Sequence, residues 1–301
     1  MQPPIHAALF EFPITAVSMS AAGLAVLLIG LLAARNEIAQ ARGFGRIVAL
    51  TNLCFAIPLA VFGAEHFSLG SVMLGLVPRY MPLRLAWIYI VGTALIVAAL
   101  SIATKIQVRW SGLLFGIMMF LFVAMIHLPG AIKTGNRNIW TIVLRELSFG
   151  GGGWVLAGVA LAQLRGRNNG LITVGRLLIA IAAIVFGVLH FLHPYGVPGV
   201  PLEKQMPEWI PARAVIDYMT GAFLIFGGVC LLTARKTQTA ATYLGTWILI
   251  LVVVYYGPML IAALVNPNTG VKLEGLNYFA DTLLFGATIL SLAKTAASEK
   301  R

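Results

Sequence analysis

Apolar stretches of roughly 20 residues recur along this chain, and they restrict its fold more than any other feature. Nine such stretches lie near residues 14–34, 47–66, 85–104, 111–129, 139–164, 171–192, 213–234, 242–265 and 277–296. Each is long enough for a helix to cross about 30 Å of hydrocarbon. Lipid offers no hydrogen bonds to an open backbone, and barrel strands are alternating runs of about ten residues. The sequence therefore predicts an all-α membrane protein with nine transmembrane helices.

The composition excludes a water-soluble domain. Of the 301 residues, 59% are apolar and 10% are charged, whereas soluble domains use charge for about a quarter of their residues. The formal net charge of +11 raises the question of nucleic acid, but the basic residues lie at the ends of the apolar stretches. We therefore expect the lipid bilayer as a partner and no nucleic acid. Residues 1–13 contain no Lys or Arg, so the first stretch lacks the basic start of a signal peptide and is counted as a helix.

The distribution of Lys and Arg predicts the orientation. With nine crossings, 13 of the 21 basic residues fall on the side of the C-terminus. The positive-inside rule then places the C-terminus in the cytoplasm and the N-terminus outside. Apolar loops and this basic bias are typical of an integral protein of the bacterial inner (cytoplasmic) membrane.

A four-helix unit is repeated within the sequence. Residues 61–67 (VFGAEHF) recur as residues 185–191 (VFGVLHF), and residues 78–84 recur as residues 207–213, with five extra residues in the intervening loop. Because each unit has an even number of helices, both enter the membrane from the same side, and the repeats are parallel. We predict an N-terminal helix with an inner loop over 1–43, a first unit over 44–167 and a second unit over 168–301.

Ionisable residues inside apolar stretches are costly, so they are the first candidates for a functional site. In the first unit they lie at the outer ends of four helices and predict one outer-side pocket, formed by Glu65, His66, Arg84, His127 and Glu146. In the second unit they predict another pocket, formed by His190, His193, Arg213, Asp217 and Asp281. The alternative interpretation is that these residues only fix helix ends and are satisfied by water, by headgroups or by an Arg such as Arg84 or Arg145.

Motifs for cofactors are absent from the sequence. His190 and His193 share one helix face, but no third ligand is evident from the spacing, and we predict no metal site. No pattern for flavin, nicotinamide, iron–sulfur or c-type haem is present, so no cofactor is evident from the sequence, and a quinone is the candidate for the predicted pocket. The run Gly150–Gly153 lies inside an apolar stretch and predicts close helix packing rather than a phosphate loop.

Four polar motifs, taken in order, resemble the DoxX-like integral membrane proteins. They are Phe-Gly-x-x-His-Phe at 62–67, the Pro-rich loop after it, His127-Leu-Pro, and residues 145–151 (RELSFGG). The resemblance covers the second to fifth helices and, less closely, the last four. It implies a four-helix bundle, here doubled, and association with membrane redox complexes such as thiosulfate:quinone oxidoreductases. The second unit departs from the pattern, with Leu189 at the position of Glu65 and Asp281 at that of Glu146.

Three functions are compatible with these features, and the sequence does not decide whether the chain is an enzyme. The leading interpretation is a membrane scaffold or accessory subunit of a partner complex, for example with a membrane or periplasmic redox protein. The second is a quinone- or small-anion-binding component of a membrane oxidoreductase, in which carboxylates and imidazoles exchange protons with the ligand. The third, a small-solute or proton transporter, requires a polar path to the inner half that the sequence does not show.

Overall fold

The computed structural model describes residues 14–165 and 170–298, which form long helices joined by turns. The long helices are α1 (Ile14–Gln40), α2 (Thr51–Ser68), α3 (Arg84–Thr104), α4 (Val108–Thr134), α5 (Arg137–Arg165), α6 (Gly170–Leu192), α7 (Arg213–Leu232), α8 (Thr237–Val265) and α9 (Thr269–Ser291). Two short helices, Gly45–Ala49 and Gly70–Met73, and a 3₁₀ segment, Leu292–Ser298, complete the order. Within these ranges the one β contact is a bridge between Gly196 and Gln205.

Eight of the long helices in the described ranges are long and apolar enough to cross a membrane. They establish the all-α class and the membrane character of the chain. The exception is α2, whose 18 residues include Asn52, Glu65 and His66. Its length of about 27 Å still approaches the thickness of the hydrocarbon layer. Nine crossings therefore remain a prediction, and the predicted features within residues 1–13 lie outside the described residues.

Successive long helices alternate in direction, so their connections gather at two ends of the bundle. The long-loop end holds the connections 69–83, 135–136, 193–212 and 266–268, and the short-loop end holds 41–50, 105–107 and 233–236. A hydrogen bond from Asn138 Nδ2 to Glu203 Oε1 joins two segments at the long-loop end. Loop segments far apart in sequence are thus fixed to one another on one side of the bundle.

Helices α5 and α9 occupy the centre of a single bundle. In their membrane-spanning segments 67% and 78% of the residues are buried, against 28% in α1 and α4. Helix α5 packs against α4, α6 and α9, and α9 packs against α2, α5 and α8. The outer α1 lies against α2 and α3. The more buried α5 and α9 are also where intramembrane polar side chains have most protein around them.

The glycine run in α5 is used for close approach to three neighbouring helices. A Cβ atom added at Gly153 would lie 2.8 Å from the Gly112 carbonyl oxygen of α4, and one at Gly151 would lie 3.0 Å from the Gly175 carbonyl oxygen of α6. A Cβ atom at Gly152 would lie 2.6 Å from Oγ1 of Thr288 in α9. The prediction of close packing is confirmed, and it explains how α5 reaches the centre.

Contacts of the first unit, α2 to α5, reappear in the second unit, α6 to α9. Gly63 lies against the backbone of Gly92, and the ring of Phe67 stacks on Tyr89 with centroids 5.9 Å apart. The second unit has the same pairs at the same places along its helices: Gly187 with Gly221, and Phe191 with Tyr218 at 5.6 Å. Helix α5 packs against α6 as α9 packs against α2.

Helices α4 and α8 each contain a π-helical turn, at Val123–His127 and at Val252–Tyr256. Each turn is followed at once by a proline near the start of the next helical segment, Pro129 and Pro258. Proline lacks an N–H and its ring displaces the carbonyl four residues earlier, and the wider turn accommodates both effects. In α4 the widened turn ends on His127, one of the predicted site residues.

Candidate functional site

A cavity of about 880 Å³ lies between α2, α3, α4, α5 and α9 near the long-loop end. This volume is typical of pockets that bind small molecules. Most of its wall is apolar, with side chains such as Phe62, Leu95, Met119, Phe122 and Leu284. The polar side chains of the wall are Glu65, His66, His127, Arg145, Glu146, Glu274, Asn277, Tyr278 and Asp281. We call this space the main cavity.

Four of the five residues predicted for the first pocket line the main cavity, namely Glu65, His66, His127 and Glu146. The fifth, Arg84, does not. Its Nε donates to the Val77 carbonyl oxygen at 3.1 Å, and its Nη2 donates to the Leu74 carbonyl oxygen. Residues of that loop, including Val77, form part of the cavity wall. Arg84 is therefore a positioning residue that fixes the loop, because its guanidinium is engaged by backbone carbonyls.

Arg145 organises the charges of the main cavity. Its Nη1 donates to Asp281 Oδ2 at 2.5 Å and its Nη2 donates to Glu146 Oε1 at 2.9 Å. The three side chains are only 15%, 11% and 10% exposed. The buried Nε of Arg145 has no hydrogen-bond partner in the described part of the chain. Sequence reasoning left Arg145 out of the pocket, although an Arg next to Glu146 inside an apolar stretch is the expected signal.

The two histidines of the main cavity each keep hydrogen-bonding capacity. The Nδ1 atom of His66 lies 2.8 Å from the Phe62 carbonyl oxygen, so it is the donor and Nε2 is left as an acceptor. Neither ring nitrogen of His127 is hydrogen bonded within residues 14–165 and 170–298. Both imidazoles can therefore bond to a molecule in the cavity.

Helix α9 completes the site from the other half of the chain. Asn277 Nδ2 donates to Glu65 Oε1 at 2.9 Å, across 212 positions of sequence. Asp281, which the sequence placed in the second pocket, instead pairs with Arg145 in the main cavity. Lys204 forms an ion pair with Glu274, and its Nζ lies 5.5 Å from the centre of the Tyr278 ring. Both units build this one site.

Of the residues predicted for the second pocket, Asp281 lines the main cavity and the other four do not. His190 Nδ1 lies 2.7 Å from Asp217 Oδ1, and both side chains are fully buried. The His190 Nε2 atom accepts from the Gly199 backbone N–H at 3.1 Å. His193 is exposed. Arg213 donates to the Met206 carbonyl oxygen at 3.2 Å, as Arg84 does to Val77.

The long loop of the second unit explains this difference. Its residues Val197, Val200 and Met206 are at most 2% exposed and pack into the helices. The hydroxyl of Tyr256 donates to the Pro198 carbonyl oxygen at 2.7 Å. The loop, longer by five residues than its counterpart, thus fills the space where a second pocket was expected.

The described ranges contain no group of three or more His, Cys, Asp or Glu side chains placed to hold a metal ion. No family model, curated protein or solved structure matches the chain. The resemblance to the DoxX-like proteins therefore rests on the sequence motifs alone.

Proposed function

We propose that the protein binds a lipid-soluble, hydrogen-bonding ligand of the quinone type in the main cavity. One observation supports the proposal most directly. The wall of the main cavity is mostly apolar, and its polar part includes two imidazoles, His66 and His127, that each have a ring nitrogen free to form a hydrogen bond. An apolar ring with a carbonyl or hydroxyl oxygen matches such a wall, because the ring is buried without cost and the oxygen meets a partner.

The charges of the main cavity argue against a small anion. The residues that line it include four carboxylates, from Glu65, Glu146, Glu274 and Asp281, and one cation, Arg145. Glu274 is already paired with Lys204, which lies outside the wall. Arg145 already bonds to two of these carboxylates. A further anion would meet like charge at short range in a medium of low polarity. A neutral ligand avoids this repulsion.

The chemistry available to the ligand is proton exchange. The His127 imidazole can donate to a carbonyl oxygen or accept from a hydroxyl, and His66 Nε2 can accept from a hydroxyl. Nearby carboxylates can hold the proton next. His66 and His127 hold the positions for such contacts. Electrons would come from a partner, since the sequence holds no redox motif of its own. This agrees with the redox complexes that the DoxX-like resemblance implies.

The scaffold and transport interpretations account for less of the structure. A scaffold explains Arg84 and Arg213, which fix loops through backbone carbonyls, but it gives no reason for the main cavity. Transport needs a route onward to the short-loop end. The side chains of Leu95, Phe115 and Leu284 line the cavity wall instead, within the apolar core.

We also propose that the two units arose by duplication and are related by an axis along the membrane normal. The recurring glycine and aromatic pairs, and the two π turns, support it. The close approaches of Gly116 to Gly150 and of Gly245 to Gly286 set the register of the last helices. This register aligns Asp281 with Arg145, rather than with Glu146 as the sequence comparison had it.

The test is ligand binding by the purified protein in nanodiscs, measured by quenching of tryptophan fluorescence, since Trp87 lines the main cavity. The probe is a benzoquinone with a decyl chain. Replacing His127 with Leu should weaken binding about three- to tenfold, the effect of losing about 0.7–1.4 kcal/mol of hydrogen bonding. His193→Leu is the matched control, because His193 lies outside the main cavity, and it should bind as the wild type does. Equal binding by wild type and His127→Leu would show that the head group lies elsewhere.

A further inference from the structure

The main cavity is close to the lipid-facing surface between α3 and α4. A groove of about 1030 Å³ runs along these two helices on the outside, lined by residues such as Val97, Leu114 and Trp110. Those three side chains are 54% to 60% exposed, so the groove lies at the surface. Four side chains belong to the walls of both spaces: Ile90, Ala94, Phe115 and Met118. The groove and the main cavity therefore adjoin at these four side chains.

The second unit has aromatic rings at the positions that correspond to Ala94 and Met118. Phe223 follows Arg213 by ten residues, as Ala94 follows Arg84, and Trp247 precedes the second π turn by five residues, as Met118 precedes the first. The rings of Phe223 and Trp247 lie 5.0 Å apart, and Trp247 Nε1 donates to Thr220 Oγ1 at 3.2 Å. The first unit has a methyl group and a flexible thioether at these positions instead.

We propose that the gap at Ala94 and Met118 is a lateral portal and that the groove holds the hydrocarbon tail of the ligand whose head group occupies the main cavity. This inference rests on the proposed function and names the ligand class more closely, as a ring with a long tail. The occupant follows from continuity: a molecule entering from the bilayer with its polar head in the cavity must leave its tail along the groove.

The portal determines which ligands can enter the main cavity, and it adds little to the strength of their binding. A tail moving from lipid into the groove stays in an apolar medium, so it gains little from the hydrophobic effect. The groove therefore selects ligands whose tail leaves the ring in the direction of α3 and α4. Closing the portal should exclude a tailed ligand even though the polar contacts to the head are intact.

The test gives the first unit the two aromatic side chains of the second, in the double variant Ala94→Phe, Met118→Trp. Two probes are compared in nanodiscs, the decyl benzoquinone and the same ring without its tail. We expect the double variant to bind the decyl compound at least tenfold more weakly and the tail-less ring within about twofold of wild type. The single variant Ala94→Leu, a smaller change, should show a weaker effect of the same kind. Ile117→Trp, a ring added to the exposed face of α4 outside groove and cavity, should change neither.

The possible results distinguish a failure of the portal proposal from a failure of ligand binding in the main cavity. If the double variant binds the decyl compound as wild type does, or loses both probes equally, the portal is overturned while wild-type binding leaves the cavity site standing. If the wild type binds neither probe, the proposed function fails and the portal fails with it. Monodisperse elution and unchanged helical circular dichroism establish that each variant is folded.

Discussion

Replacing Arg145 with Met is the most informative test of how the main cavity is held together. The change removes the guanidinium and keeps much of its apolar stem. Asp281 and Glu146, which accept from Arg145 at 2.5 and 2.9 Å, then lie together without a countercharge. Removing one partner of a buried pair costs about 3–5 kcal/mol. Because the carboxylates are 10% to 11% exposed rather than fully buried, we expect the low end, about 3 kcal/mol.

The assay is unfolding in mixed micelles with increasing denaturing detergent, followed by circular dichroism. A loss of about 3 kcal/mol corresponds to a change of roughly a hundredfold in the folding equilibrium constant. Arg213→Met is the matched control, since among residues 14–165 and 170–298 Arg213 contacts a carbonyl oxygen and the Tyr195 ring but no carboxylate. Its cost should stay near 1 kcal/mol, the value of one hydrogen bond.

A second substitution separates repulsion between carboxylates from general damage. Adding Asp281→Asn to Arg145→Met removes one of the two facing charges, so the double variant should recover at least about 1 kcal/mol relative to Arg145→Met alone. The reasoning is refuted if Arg145→Met costs no more than Arg213→Met. It is refuted as well if Asp281→Asn destabilises the Arg145→Met background further.

Two further predictions follow from packing and topology. Gly152→Ala should lower the free energy of unfolding by about 1–3 kcal/mol, because its Cβ would lie 2.6 Å from Thr288 Oγ1. The control Gly75→Ala, whose Cβ would meet no atom within 4 Å, should change it by no more than about 0.5 kcal/mol. The same unfolding assay measures both, and an unchanged stability for Gly152→Ala would contradict the packing. In a background without the native cysteines, an impermeant thiol reagent applied to intact cells should label Lys133→Cys and leave Arg235→Cys unlabelled, and the reverse pattern would invert the predicted orientation.

Four residues of the main cavity could be predicted from the sequence because of a general rule about membrane proteins. An ionisable group in an apolar stretch is costly unless protein surrounds it, and so Glu65, His66, His127 and Glu146 stood out without any structure. Arg84 satisfied the same rule for a different reason, because its bonds to backbone carbonyls fix a loop. The rule finds intramembrane polar residues but does not distinguish a side chain that faces a cavity from one that holds the backbone.

The contacts that α9 makes to the main cavity could not be predicted from the sequence. Asn277 bonds to Glu65, and Asp281 bonds to Arg145, across 212 and 136 positions. The order of helices along the chain places Asp281 in the second unit, and hence in the second predicted pocket. Which faces of α5 and α9 meet depends on glycine contacts such as Gly152 with Thr288, and these are set by three-dimensional packing.

The sequence by itself determined the all-helical membrane class, because lipid forces every backbone hydrogen bond inside a segment and leaves a run of about 20 apolar residues few alternatives to a helix. Only the tertiary structure decided that Glu65 and His66 line a large cavity whereas His190 is fully buried beside Asp217. That outcome depends on the side chains that fill the space between the helices: Ala94 and Met118 line the cavity of the first unit, whereas in the second unit Phe223 packs against Trp247 and residues of the longer loop are buried. Two side chains of similar hydropathy cannot be distinguished in a hydropathy profile. Their different volumes have an effect only when they pack against neighbouring helices.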